Sequence, residues 1–285
     1  QAGPPRRRPK GGAGGAAPVR KRLLVSDMDH TLLNERAQLD PENLAAIRRH
    51  VEGGGLFTVA TGRAPAAIRV FPELLPWINL PVITGNGGQV VDLSDHDRVL
   101  YRETLPPDVY PLMAEALERF PRMGAVAYYK LDSFCAFRVN TYVEDLIAKE
   151  QRPAAPATVE DSYKPWNKTL MTETHDYMRA VQAWMDPRIT GLARTVFSED
   201  TYLEILPRDV SKGNALRVLL EMKGIDPAET VTIGDAPNDR EMLRLAGLGV
   251  AVSNAAPELR AVADETVCSN EEHGVKMCLE RFFET

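Results

Sequence analysis

The residues able to do chemistry fall in five short segments of the 285-residue chain. The apolar run Leu23 to Ser26 leads into Asp27-Met28-Asp29-His30-Thr31, two carboxylates one residue apart. If the run is a strand and Asp29 opens a turn, both acids can face one metal ion and one substrate phosphorus. Val59-Ala60-Thr61-Gly62-Arg63 ends a second run in a hydroxyl and open amides, groups that hydrogen-bond phosphate oxygens. Thr84-Gly85-Asn86-Gly87-Gly88 follows a third and offers backbone that an anion can approach closely. Lys212, in Asp209-Val210-Ser211-Lys212-Gly213, precedes a helical pattern from Asn214 to Met222, where an ammonium can neutralise a transferring phosphoryl group. Finally, the apolar run Val231 to Ile233 ends in Gly234-Asp235-Ala236-Pro237-Asn238-Asp239, an oxygen-rich set suited to a hard cation. Each segment alone also reads as something ordinary: a solvated turn, a helix cap, a surface lysine. All five in this order, four directly after apolar runs, favour one shared reaction.

The elements that must position these groups recur with an α/β rhythm. Short apolar runs at Leu23 to Ser26, Leu56 to Ala60, Val82 to Thr84, Thr230 to Ile233 and Leu248 to Val252 alternate with helix-period segments, which predicts a Rossmann-like, mostly parallel sheet. In Asp40 to Glu52, Asp40 caps, Pro41 suits the first turn, Leu44, Ile47 and Val51 form the apolar stripe, and Gly53 to Gly55 ends the helix. After Asn86 the texture changes to strands at Gly124 to Lys130 and Phe134 to Val139, with helices near Asp108 to Arg119, Tyr142 to Lys149 and Thr174 to Met185. This predicts an α+β insert over 88–195, with a Pro/Ala-rich loop from Gln151 to Asp161, inside a body formed by 22–87 and 196–285.

Composition narrows the function classes. The 44% hydrophobic and 26% charged content suits a globular protein, and no apolar run is long enough to span a membrane, so no membrane partner is expected. The overall charge is −6, but seven basic residues and no acid lie in Gln1 to Arg22, which leaves −13 on everything after it. So acidic a body argues against nucleic acid as a partner. The Gly/Pro-rich leader, 1–21, has too few apolar residues to order itself and is expected to be disordered. Its Arg-rich composition suits an organelle-targeting remnant without the usual Ser enrichment, so the expected location is cytoplasmic, or a plastid or mitochondrion if the leader is an address. Three cysteines without metal-ligand spacing point to reduced thiols.

With these segments together, the chain resembles the haloacid dehalogenase-like hydrolases, and specifically the Cof-type phosphatases. The resemblance rests on the four motifs from Asp27 to Asp239, on Val252-Ser253-Asn254-Ala255 and on Ser269-Asn270-Glu271-Glu272-His273-Gly274-Val275. It covers essentially everything after Arg22, the insert matching in length and position more than in residues. It implies that Asp27 is the nucleophile that forms an aspartyl-phosphate and Asp29 the acid and base. It implies Mg²⁺ between the Asp27 carboxylate, the Asp29 backbone carbonyl and Asp235, supported by Asn238 or Asp239. Thr61 and Lys212 hold phosphoryl oxygens, Asp239 orients Lys212, and Thr31, Arg63, Asn86, Gly87 and Asn238 border a small phosphate ester. The insert becomes a cap that closes over the site and selects the leaving group, with Tyr128, Lys130, Phe134, Arg138 and Lys168 as candidates. His30 stands where the family commonly has Gly, and a pH-sensing role is a further expectation there.

A phosphomutase would use the same residues but pass the phosphoryl group to a sugar hydroxyl. A non-catalytic regulatory protein on this fold would be marked by loss of Asp27, Asp29, Lys212 or Asp235, and all four are present. The identity of the ester and the oligomeric state are not readable from these patterns.

Overall fold

The structure, a computed structural model, describes residues 19–130, 133–150 and 153–283. The expected disorder of the leader therefore lies almost wholly outside the described residues. The chain runs β1 (Leu23–Ser26), α1 (Pro41–Glu52), β2 (Leu56–Val59), α2 (Pro65–Ile68), β3 (Val82–Thr84), β4 (Gln89–Asp92), β5 (Arg98–Arg102), α3 (Val109–Arg119), β6 (Gly124–Lys130) and β7 (Ser133–Arg138). It continues with α4 (Thr141–Glu150), β8 (Ala155–Pro156), β9 (Lys168–Thr172), α5 (His175–Ile189), β10 (Ala193–Glu199), β11 (Tyr202–Pro207) and α6 (Lys212–Lys223). It ends with β12 (Thr230–Gly234), α7 (Arg240–Leu245), β13 (Leu248–Val252), α8 (Pro257–Arg260), β14 (Glu265–Val267) and α9 (Gly274–Phe282).

The body is a parallel sheet in the order β14-β13-β12-β1-β2, extended toward β3 by a parallel bridge between Ala60 and Ile83. Helices on both faces bury runs such as Leu23-Leu24-Val25, which is why those strands read as unbroken apolar stretches. The chain leaves β1 toward β2 on one side and returns as β12 on the other, so β1 and β12 flank a topological switch point, where ligands of open α/β sheets bind. Asp40 caps α1 by accepting from the amides of Glu42 and Asn43 at 2.8 and 3.0 Å, a bond set worth about 1 kcal/mol.

The insert is a mixed sheet in the order β10-β11-β9-β6-β7-β8 with its own core, in which α3 and α5 bury Ala125, Ala127, Met171, Leu203 and Ile205. Its extent differs from 88–195. β4 pairs antiparallel with β3, and β5 with β4, so that Val90 and Val91 are buried in the body's core, while the insert sheet runs on through Pro207. Both differences have one cause: strand periodicity reports alternation within a strand and carries no information on which sheet the strand joins.

Candidate active site

Asp27 immediately follows β1, and its amide donates to the Ile233 carbonyl at 2.9 Å, continuing the parallel ladder with β12. Asp235 follows β12, so adjacent strands deliver two carboxylates to one rim of the sheet. Lys212 is the first residue of α6, which Ser211 caps by accepting from the Asn214 amide at 3.0 Å. Its buried ammonium donates to Asp27 Oδ1 and to Asp239 Oδ1, each at 2.7 Å. Asp239 Oδ2 accepts from the amides of Asp235 and Ala236, both at 3.0 Å. That approach needs glycine at 234, since a Cβ there would lie 2.4 Å from Asp239 Oδ2. Thr31 donates to Asp235 Oδ1 at 2.9 Å.

One oxygen each from Asp27, Asp235 and Asp239 lies within 4.8 Å of the others. Burial is the largest influence on Asp27 and pushes its carboxyl well above the usual range, against the pull of Lys212. Burial and then the Asp239 charge raise Asp235 as well. For Lys212, burial alone pulls the ammonium down, but the two carboxylates reverse this and leave it raised. Three carboxylates around one ammonium leave negative charge uncompensated, and the donors are hard oxygens, so the residues present fit a divalent cation such as Mg²⁺.

Asp29 turns away from that cluster, and its carboxylate takes a two-pronged ion pair from Arg63, Nη2 to Oδ1 at 2.6 Å and Nε to Oδ2 at 3.0 Å. The Arg63 guanidinium also lies 5.5 Å from the Phe71 ring centre. Thr61 is buried, and its hydroxyl oxygen accepts from the Arg63 amide at 3.1 Å, which leaves the hydroxyl hydrogen to donate elsewhere. His30 lies exposed with φ at +54°, the left-handed region that explains a preference for glycine at this turn. Its carbonyl accepts from Asn254 at 2.8 Å, Asn254 in turn accepts from the Asn270 amide at 3.1 Å, and Asn270 donates to the Leu33 carbonyl at 3.0 Å. These two asparagines brace the turn that carries Asp29. The residue pattern gave them no role; only the resemblance drew notice to their segments.

Four of the expected site residues make contacts within the protein itself. Asp239 is bound to Lys212, as expected, and to two amides of the Asp235 turn, and one of its oxygens also belongs to the acid cluster. Asn238 is exposed and donates to Asn86 Oδ1 at 3.0 Å, which joins two loops. Thr31 positions Asp235, and its hydroxyl is turned to that carboxylate. Gly87, at φ +96°, has its open side against Ser211, where a Cβ would lie 2.0 Å from the carbonyl oxygen; it lets α6 pack and does not line the cleft.

A cleft of about 350 Å³ extends from Gly62 and Arg63 past Asn86 and Gln89 to the insert. On the insert side it is lined by Tyr128, Phe134, Asn167, Lys168, Glu204 and Leu206. Three of the five cap candidates thus face it. Arg138 instead donates to the carbonyls of Leu117 and Phe120 at the end of α3, and the Lys130 side chain lies outside the described residues. Gln89, Asn167 and Glu204 carry no local signal, because Gln89 is placed by the pairing of β4 with β3 and the other two by how the insert docks.

The haloacid dehalogenase-like hydrolase family matches residues 24–279. The chain belongs to that family. Among its relatives, an HMP-PP phosphatase of Escherichia coli is 30% identical over 252 residues, 84% of this chain and 87% of the relative. The chloroplastic endoribonuclease YBEY of Arabidopsis thaliana is 30% identical over 277 residues, 91% of this chain, which spans only 46% of that longer relative. A solved haloacid dehalogenase-like hydrolase from Bacteroides thetaiotaomicron superposes with a TM-score of 0.80 at 26% identity, covering 93% of this chain and all of that one. A haloacid dehalogenase-like body with an inserted α+β unit is therefore the architecture of this chain, and among its described residues no helix is long and apolar enough to cross a membrane.

Proposed function

We propose that the chain is a Mg²⁺-dependent phosphatase that hydrolyses small phosphate monoesters through an aspartyl-phosphate on Asp27. The observation that carries this reading is the buried Asp27–Lys212–Asp239 chain beside Asp235 at the switch point of the sheet. The named phosphatases among the relatives support the reaction class. Asp27, Asp235 and the Asp29 backbone carbonyl are the groups we assign to the cation, which when bound supplies positive charge that draws in an anionic ester and offsets the clustered acids.

The remaining steps belong to the side chains. Lys212 and the Thr61 hydroxyl hold phosphoryl oxygens while an Asp27 oxygen attacks phosphorus. The bond from phosphorus to the leaving oxygen breaks, and that oxygen takes a proton from Asp29. Asp29 then removes a proton from water, which attacks the phosphorus of the aspartyl-phosphate and regenerates Asp27. Arg63 occupies Asp29 in the present arrangement, so the incoming phosphate must draw the guanidinium away before Asp29 can act. The unit 103–207 is the cap in this reading, and closing it over the cleft excludes water. The chloroplastic designation of the Arabidopsis relative supports an organellar location for this chain too.

The test is phosphate release from a panel of esters with Mg²⁺ and no added acceptor, followed by acid quenching and peptide mapping. The reading expects a phosphorylated peptide containing Asp27. Turnover with the phosphoryl group found only on another sugar position would instead mark a mutase.

A further inference from the structure

Within the phosphatase reading, on which this rests, the geometry points to Lys168 and Glu204 as the pair that selects the leaving group. They admit a neutral, hydroxylated group and disfavour one that carries a second phosphate.

The cap sheet has one face covered by α3 and α5 and half of the other covered by α4, where Val143 and Leu146 pack on Val126, Ala136 and Leu170. The uncovered half faces the cleft. There Phe134, Tyr128 and Lys168 sit at paired positions of β7, β6 and β9, so their order across the sheet is set by register. Lys168 is held at two points: its ammonium donates to Glu204 Oε1 at 2.7 Å and lies 4.9 Å from the centre of the Tyr128 ring.

Among the described residues that line the cleft, only Arg63, Lys168 and Glu204 carry charge. Lys168 is paired with Glu204, and Arg63, paired with Asp29, is the cation that the transferring phosphate itself draws off. The cleft thus presents no surplus cation to offset the desolvation of a second phosphate. A neutral ion pair suits a hydroxyl, because a hydroxyl accepts from the ammonium and donates to the carboxylate.

The experiment compares kcat/KM with Mg²⁺ for p-nitrophenyl phosphate, glucose 6-phosphate and glucose 1,6-bisphosphate. The proteins are the wild type, Glu204→Gln, Lys168→Met and the double variant. The wild type is expected to favour the hexose monophosphate over the bisphosphate. Glu204→Gln leaves the Lys168 charge unopposed and is expected to shift that ratio toward the bisphosphate by about tenfold. The double variant, neutral again, should return the ratio toward the wild-type value. Lys168→Met alone should lose about tenfold on glucose 6-phosphate relative to p-nitrophenyl phosphate, and it serves as the test if Glu204→Gln does not fold. A bisphosphate ratio unmoved by Glu204→Gln, or a hexose preference unmoved by Lys168→Met, overturns the inference. So does a wild type that hydrolyses p-nitrophenyl phosphate but neither hexose ester. A wild type that releases phosphate from none of the three overturns the phosphatase reading instead.

Discussion

Lys212 and Lys168 each bind carboxylate in this molecule, in contrasting surroundings. Lys212 has a side chain 1% exposed between two carboxylates of the body, whereas Lys168, 32% exposed, meets one carboxylate and an aromatic ring of the cap. The first pair cannot be opened without leaving a charge uncompensated in the interior; the second can exchange its partner for a ligand or for water. A buried network fixes chemistry that does not change between substrates, and a partly exposed pair lets recognition vary.

Mutations break that contrast most sharply at Asp27. Asp27→Asn should lower phosphate release on the order of 10⁴-fold or more, because an amide is not a nucleophile here, while circular dichroism stays that of the folded protein. Retained activity in this variant would remove Asp27 from the mechanism. Lys212→Met comes next. It should cost about 3 kcal/mol of stability, read from the denaturant midpoint, because Asp27 and Asp239 lose their shared counter-charge. Added Mg²⁺ should recover part of that loss, as a ligand of the folded state does, and chelation should remove the gain. A loss of under about 1 kcal/mol would mean that the interior does not hold this pair as described.

Lys168→Met sharpens the comparison from the other side. Its effect on stability should stay at about 1 kcal/mol, below that of Lys212→Met, since the Lys168 side chain is 32% exposed, whereas its expected effect on substrate choice is larger. The smallest change is expected for His30→Gly, which relieves a left-handed residue in an exposed turn. It should raise stability by no more than about 1 kcal/mol, with turnover close to the wild-type value. A marked loss of turnover there would give the imidazole a part that its exposure and its 3.3 Å contact with Glu35 do not suggest.

The resemblance to the Cof-type phosphatases was legible because the groups of the body sit within a few residues of strand ends. Apolar runs at Leu23 to Ser26, Leu56 to Val59 and Thr230 to Gly234 become parallel strands, so the residues just after them meet at one rim. Asp27, Asp29, Thr61, Asp235 and the lysine at the start of α6 could therefore be named from the chain alone. Roles were harder than positions. Thr31, Asn86, Gly87, Asn238 and Asp239 stand near the rim, but whether a side chain meets substrate or another residue depends on atoms a few ångströms away.

The sequence by itself determined the main parallel strands of the body, the capping of α1, which acids follow which strands and which lysine opens a helix. These depend on local periodicity and on residues within one turn of each other. Only the tertiary structure decided that β4 and β5 join the body, that Arg63 holds Asp29, and that Lys168 meets Glu204 over the cleft. The two side-chain contacts join residues 34 and 36 positions apart, and they arise from sheet register and from the way the cap docks. No pattern within a single segment encodes that relation.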